Sequence, residues 1–246
     1  MLDVVHAGKG YIKTSAHAGS TLGRMITDAQ LSELVALVAR WALGAKYRIV
    51  TAESCTGGWI AKAFTDAAGS SRWFDCGYVT YSNAAKVRDL GVASRTLDEH
   101  GAVSEPTVRE MAVGALRVSG ADVAIAVSGI AGPDGGSAEK PVGTVWFCVA
   151  RRRGGGDGSS GAAEGSGGAV ASNASASIGA YAGGGARSVG FGDAAVDAGV
   201  GGPGGPNFAG GSGVDLIAEG EVFAGDRETV RRASVKRALE LVLQLG

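Results

Sequence analysis

Three side chains able to attack an electrophile or bind an oxyanion stand in a row at Ser54, Cys55 and Thr56, followed by Gly57 and Gly58. A hydroxyl or thiol at this point attacks a carbonyl carbon when a neighbouring base takes its proton. Upstream, Tyr47-Arg48-Ile49-Val50 opens a short buried strand over 47–52, and Ile60-Ala61-Lys62-Ala63-Phe64 forms the body of a helix over about 54–67. A strand that turns directly into a helix gathers unpaired N–H groups and the positive dipole end at the turn. The two glycines allow a ligand close to the backbone. An ordinary Ser/Thr cap, with glycines for packing, accounts for the same residues. Within the turn Cys55 competes with Ser54, because a helix N-terminus favours thiolate. A small buried hydrophobe describes Cys55 equally well.

The base has few candidates. Of three histidines, His6 and His17 lie in a loose N-terminal stretch, and His100 in Asp98-Glu99-His100-Gly101 reads as a helix C-terminus. That leaves a lysine whose pKa is lowered by burial or a nearby cation. Lys86 stands one turn into a helix that follows a strand, so it can reach back over the strand end. A solvated surface lysine is the plain alternative. Tyr81 relays a proton, hydrogen-bonds a substrate, or is a half-buried strand aromatic. Arg227 and Arg231 are four apart on one helix face and suit a phosphate, or pair with acids such as Glu228. Lys140 is a further anion ligand or plain surface. Ser128-Gly129-Ile130-Ala131-Gly132-Pro133-Asp134-Gly135-Gly136 is a glycine loop that matches neither the P-loop nor the dinucleotide fingerprint.

Composition narrows the classes. The chain has 246 residues and a net charge of −1, which argues against a nucleic-acid surface or a polybasic membrane contact. Its apolar runs are too short to cross a bilayer. The start lacks the basic-then-apolar pattern of a secretory signal, so a cytoplasmic protein is expected. Cys55, Cys76 and Cys148 are too few and too widely spaced for a disulfide framework or a metal site. No metal or other cofactor is therefore expected.

These residues need elements to hold them. A helix is expected from Thr27 or Asp28 to Gly44, with Leu31, Leu34, Val35, Val38 and Trp41 on one face. Strands are expected at 75–82, 122–128, 143–150 and 216–223. Short helices follow at 83–91 and 94–100. Ser104-Glu105-Pro106 starts a longer helix ending near Val118, and 226–245 is the closing helix. This alternation argues for an α/β sandwich with a sheet covered on both faces, in which ligands sit at strand ends beside helix N-termini. About half of the 43 glycines fall within 154–213. That segment is read as a low-complexity Gly/Ser/Ala insertion, disordered because it has too little apolar surface to offset ordering. Residues 1–26 are read as a mobile extension, and 27–246 as one domain carrying the insertion.

Six motifs occur in order: Thr51-Ala52-Glu53-Ser54-Cys55-Thr56-Gly57-Gly58; Val79-Thr80-Tyr81-Ser82-Asn83-x-x-Lys86; His100-Gly101-Ala102-Val103-Ser104; the glycine loop 128–136; Lys140-Pro141-Val142-Gly143-Thr144-Val145; and Phe223-x-Gly225-Asp226-Arg227-x-x-Val230-Arg231. In this the chain resembles the CinA C-terminal domain family in its stand-alone form, over about 28–152 and 217–245. The resemblance implies a three-layer α/β/α sandwich with a central, mostly parallel or mixed sheet. It implies hydrolysis of the carboxamide of nicotinamide mononucleotide to nicotinate mononucleotide and ammonia, in pyridine nucleotide recycling. It puts the nucleophile on Ser54, its activator on Lys86 and a third catalytic group on Tyr81. Cys55, Thr56, Gly57, Gly58, Ser128, Gly129, Gly132, Arg227 and Arg231 are the expected substrate-binding positions, with Arg227 toward the phosphate. N–H groups at the start of the helix after Ser54 are expected to hold the oxyanion.

The chain departs from the family pattern in its N-terminal extension and in the length of 154–213. The larger N-terminal domain of full-length relatives is not part of it. The expected partner is the small-molecule substrate, with neither nucleic acid nor membrane, and a homodimer is admissible. Two other readings compete: a non-catalytic pyridine-nucleotide-binding or regulatory domain, and an interaction module whose Gly-rich segment recruits a partner. Ammonia release separates the first from an enzyme, and deletion of 154–213 tests the second.

Overall fold

The structure, a computed structural model, describes residues 4–7, 10–13, 26–154 and 213–245. All of them belong to one compact unit. Most of 1–26 and nearly all of 154–213 lie outside these residues, and with them the expected mobility of the extension and disorder of the insertion.

The elements run β1 (Val4–Ala7), β2 (Gly10–Lys13), α1 (Asp28–Ala45), β3 (Ile49–Glu53), α2 (Trp59–Thr65), β4 (Phe74–Val79), α3 (Asn83–Leu90), α4 (Ser94–His100), α5 (Glu105–Ser119), β5 (Val123–Gly129), β6 (Thr144–Arg152), β7 (Val214–Val222) and α6 (Arg227–Leu243). Most boundaries fall within two or three residues of the sequence reading. Side-chain caps fix several of them. Thr27 and Gln30 form a reciprocal capping box at α1. Ser82, Ser104 and Asp226 each accept a backbone N–H at the starts of α3, α5 and α6. Two differences stand out. β1 and β2 occupy a stretch in which no element was expected. The helix expected over 54–67 begins only at Trp59, because Gly57 and Gly58 take left-handed φ values of 63° and 89° that a continuing helix excludes.

The sheet has the order β1-β2-β7-β6-β5-β3-β4. β3 lies parallel to β4 and β5, while β6 runs antiparallel to β5 and β7. The sheet is thus mixed and covered on both faces, an α/β/α sandwich. All five residues of β3 are buried, as a strand between two layers requires. On one face Ile49, Ile125, Val127, Phe147 and Val149 pack against apolar residues of α1, α2 and α6. On the other, Val50, Ala52, Ala124, Ala126 and Cys148 meet α5 and the short helices before it.

This topology creates one chemically dense edge. Because β3, β4 and β5 are parallel, their C-terminal ends come out on the same side. The antiparallel register Gly129↔Val145 and Thr144↔Val222 brings the start of β6 and the end of β7 to that side as well. The turn after β3, the loop before α3, the glycine loop and the N-terminus of α6 therefore converge there.

Candidate active site

At this edge a cavity of about 270 Å³ opens. Ser54, Cys55, Lys86, Ser128 and Ala102 contribute to its lining, as do Gly129, Ile130 and Gly132 of the glycine loop, and Tyr81, Asp134 and Arg227. Residues from four separate loops thus face one volume, as the topology predicts.

Ser54 leaves the end of β3 and is only 8% exposed. Its N–H donates to Val127 O at 3.0 Å, which ties it to the end of β5. Lys86 lies one turn into α3, is 1% exposed, and sends its side chain back over the strand end. Its Nζ is 3.0 Å from Ser54 Oγ and 2.7 Å from Thr80 O. Among the described residues these are the only hydrogen-bond partners of the amine. Burial holds the Lys86 pKa below the ordinary lysine value of 10.5, since desolvation disfavours the ammonium. The pair is a hydroxyl next to an amine that gives up its proton more readily than a solvated lysine.

Cys55 is the next residue in the turn. Its thiol is buried, and desolvation pushes its pKa up to about 12. It is therefore a protonated, weakly nucleophilic thiol at neutral pH. The dipole argument that favoured it from sequence fails because the helix starts four residues further on.

The turn between Ser54 and α2 is held by a charged side chain that the sequence reading did not single out in this role. Glu53 is fully buried. Its carboxylate accepts the Thr56 hydroxyl at 2.7 Å, Ile60 N–H at 3.0 Å and Ala61 N–H at 2.8 Å. Trp59 N–H goes to Thr56 O. The first N–H groups of α2, expected to hold an oxyanion, are thus already engaged, and that expectation is corrected. The Cys55 N–H takes no part in the backbone hydrogen bonds of the turn, and Cys55 lines the cavity.

The mouth of the cavity is different in kind. Arg227, at the first position of α6, donates to Gly132 O at 2.6 Å and to the Tyr81 hydroxyl at 3.0 Å. Tyr81 is 61% exposed and touches Arg227 rather than Ser54 or Lys86. Ser128 is buried and donates to Ala102 O at 2.7 Å. Gly132 takes a φ of 81°, and any side chain there would collide with Val142.

Of the expected site residues, Ser54, Cys55, Tyr81, Lys86, Ser128, Gly129, Gly132 and Arg227 surround the cavity. Thr56, Gly57, Gly58 and Arg231 do not line it. Arg231 donates to Cys55 O and Thr56 O, and Lys140 donates to His100 O at 2.8 Å. Asp134 and Ala102 were missed as lining residues; the only signal was their place inside matching motifs.

The model of the CinA C-terminal domain matches residues 31–181, and the chain belongs to this family. Nicotinamide-nucleotide amidohydrolase PncC of Escherichia coli K12 is 58% identical over 129 residues, 52% of this chain and 78% of that protein. The protein of the same name in Enterobacter agglomerans is 62% identical over 130 residues, 52% and 79% of the two chains. Among solved structures, the competence damage-inducible protein A of Klebsiella pneumoniae superposes with a TM-score of 0.61 at 34% identity. The match covers 87% of this chain and 96% of that one.

Proposed function

We propose that the chain is a hydrolase that deamidates nicotinamide mononucleotide to nicotinate mononucleotide and ammonia, with Ser54 as nucleophile and Lys86 as its base. The observation that carries this reading is the buried Lys86 amine 3.0 Å from Ser54 Oγ, without an ion-pair partner among the described residues. The names of the relatives supply the substrate class.

The neutral amine takes the Ser54 proton as Oγ attacks the amide carbon. The positive pyridinium ring makes that carbon more electrophilic. The resulting oxyanion accepts the Cys55 N–H, the first backbone donor after the nucleophile. Lys86 then returns its proton to the amide nitrogen, the C–N bond breaks, and ammonia leaves an acyl ester on Ser54. Water, deprotonated by Lys86, hydrolyses the ester; carboxylate departs and the hydroxyl is regenerated. Arg227 at the mouth takes the phosphate in charge-assisted hydrogen bonds, and Tyr81, paired to it, orients the substrate. Ammonia release from nicotinamide mononucleotide by the purified protein is the test. Binding of the nucleotide without turnover would instead make the chain a nucleotide-sensing domain.

A further inference from the structure

Arg231 is half-buried on α6, one turn beyond Arg227. Its Nε donates to Cys55 O at 3.1 Å and one Nη to Thr56 O at 2.7 Å. Its guanidinium also lies 5.1 Å from the centre of the Trp59 ring, at the start of α2. Gly57 faces the same group: a Cβ there would stand 3.4 Å from Arg231 Nη2. Five donors in a rigid planar fork suit two adjacent carbonyls as well as they suit a phosphate. Here the fork is spent on the backbone.

We infer that Arg231 is a positioning residue that holds the oxyanion-binding turn in place, and not a ligand of the substrate. The inference rests on the amidohydrolase reading above. The peptide group is planar and trans, so fixing a carbonyl fixes the N–H on its other edge. Two peptide planes flank Cys55. The first is held through Ser54 O, which accepts Gly57 N–H at 3.0 Å. The second is held through Cys55 O by Arg231. The Cys55 N–H lies in the first plane, whose direction Ser54 O sets; by holding the planes that follow, through Cys55 O and Thr56 O, Arg231 keeps the chain beyond Cys55 from turning the first plane out of line. Glu53 secures the same turn from the interior through Thr56 and α2. A charged side chain thus grips the turn on each side: one from the strand that carries the nucleophile, the other from the last helix. The role also explains why Arg231 is absent from the cavity lining while Arg227, one turn away, is present.

Arg231→Met keeps most of the side-chain bulk and removes all donors. Arg231→Lys restores three donors, but on a single nitrogen without the planar fork. Each is assayed on nicotinamide mononucleotide and on the riboside that lacks the phosphate, alongside amide hydrogen exchange over 55–58. A positioning role predicts a fall in kcat of about 10²-fold for Arg231→Met, the scale of a misplaced catalytic group. KM should stay close to that of the parent protein, the loss should be the same on both substrates, and exchange over 55–58 should quicken. Arg231→Lys recovers part of kcat. A loss that falls on KM for the nucleotide and vanishes with the riboside makes Arg231 a phosphate ligand and overturns the inference. Unchanged exchange over 55–58 overturns it too. If the parent protein releases ammonia from neither substrate, the amidohydrolase reading fails, and the exchange measurement alone decides the role of Arg231.

Discussion

Lys86 and Arg227 are both basic side chains on the wall of one cavity, and they are held in opposite ways. Lys86 is at the floor, 1% exposed, with a hydroxyl and a carbonyl as its partners. Arg227 is at the exposed mouth, with its fork spread between Gly132 O and the Tyr81 hydroxyl. An amine loses its proton when stripped of water without a counter-charge. A guanidinium keeps its charge under nearly all conditions. The floor therefore carries a group that exchanges protons, and the mouth one that carries permanent charge. In the proposed reaction, the choice of lysine and arginine at the two ends separates chemistry from recognition over the width of a small cavity.

The sharpest way to break this division is Lys86→Arg. It puts a permanent cation at the floor in place of a group that can deprotonate, so kcat should fall by at least about 10³-fold. Retention of activity would show that charge alone suffices there. In the parent protein, kcat/KM should rise with pH as Lys86 deprotonates and level off below 10.5, the ordinary lysine value. Stability should follow the same sign. The unfolded chain binds the Lys86 proton at pH values where the folded one has lost it, so unfolding becomes harder as pH rises through that window. A pH–rate profile and thermal melts at matched pH values check both.

Arg227→Ala addresses the other end. Losing charge-assisted hydrogen bonds to a phosphate should raise KM by about 10- to 100-fold and change kcat far less. The penalty should disappear with the riboside. A larger effect on kcat than on KM would bring Arg227 into the chemistry and erase the contrast with Lys86.

Glu53→Gln acts mainly on stability. It sets an amide nitrogen against donors that now meet a carboxylate oxygen, at a cost of about 2–3 kcal/mol. Thermal unfolding should report a lower Tm, and kcat of the folded fraction should fall as well, because the same carboxylate holds the turn that follows Ser54. The smallest effect is expected for Cys55→Ala. The thiol is protonated and buried, so activity should stay near that of the parent; a dead enzyme would transfer the nucleophile from Ser54 to Cys55.

The strand ends and most helix starts were legible because they depend on local chemistry. Apolar runs mark β5 and β6, and Ser104-Glu105-Pro106 marks α5. The pairing of Ser54 with Lys86 was legible only through the order of motifs, since 32 positions of sequence separate the two. Two of the differences share a physical cause: backbone donors and acceptors leave no trace in side-chain identity. Arg231 looked like a phosphate ligand, yet its partners are two carbonyls. Glu53 looked like one polar residue of a turn, yet it caps α2. The start of α2 was misplaced because two glycines were read for closeness to a ligand and not for their left-handed φ. The strands β1 and β2, at four residues each, are too short to display a period.

The register of β6 with β7 runs to the far end of the sheet, where Arg152 pairs with Val214 and Arg153 N–H meets Gly213 O. Residues 154 and 213 thus depart from neighbouring strands, like the two posts of an open gate. A connection of any length can join such posts, since the entropy of closing it grows only logarithmically. The cavity with Ser54 and Lys86 opens at the opposite edge of the sheet, by the start of β6 and the end of β7. The ends of the segment between 154 and 213 are therefore anchored at the edge of the sheet away from the cavity, and its length is set independently of the strand register that shapes the cavity.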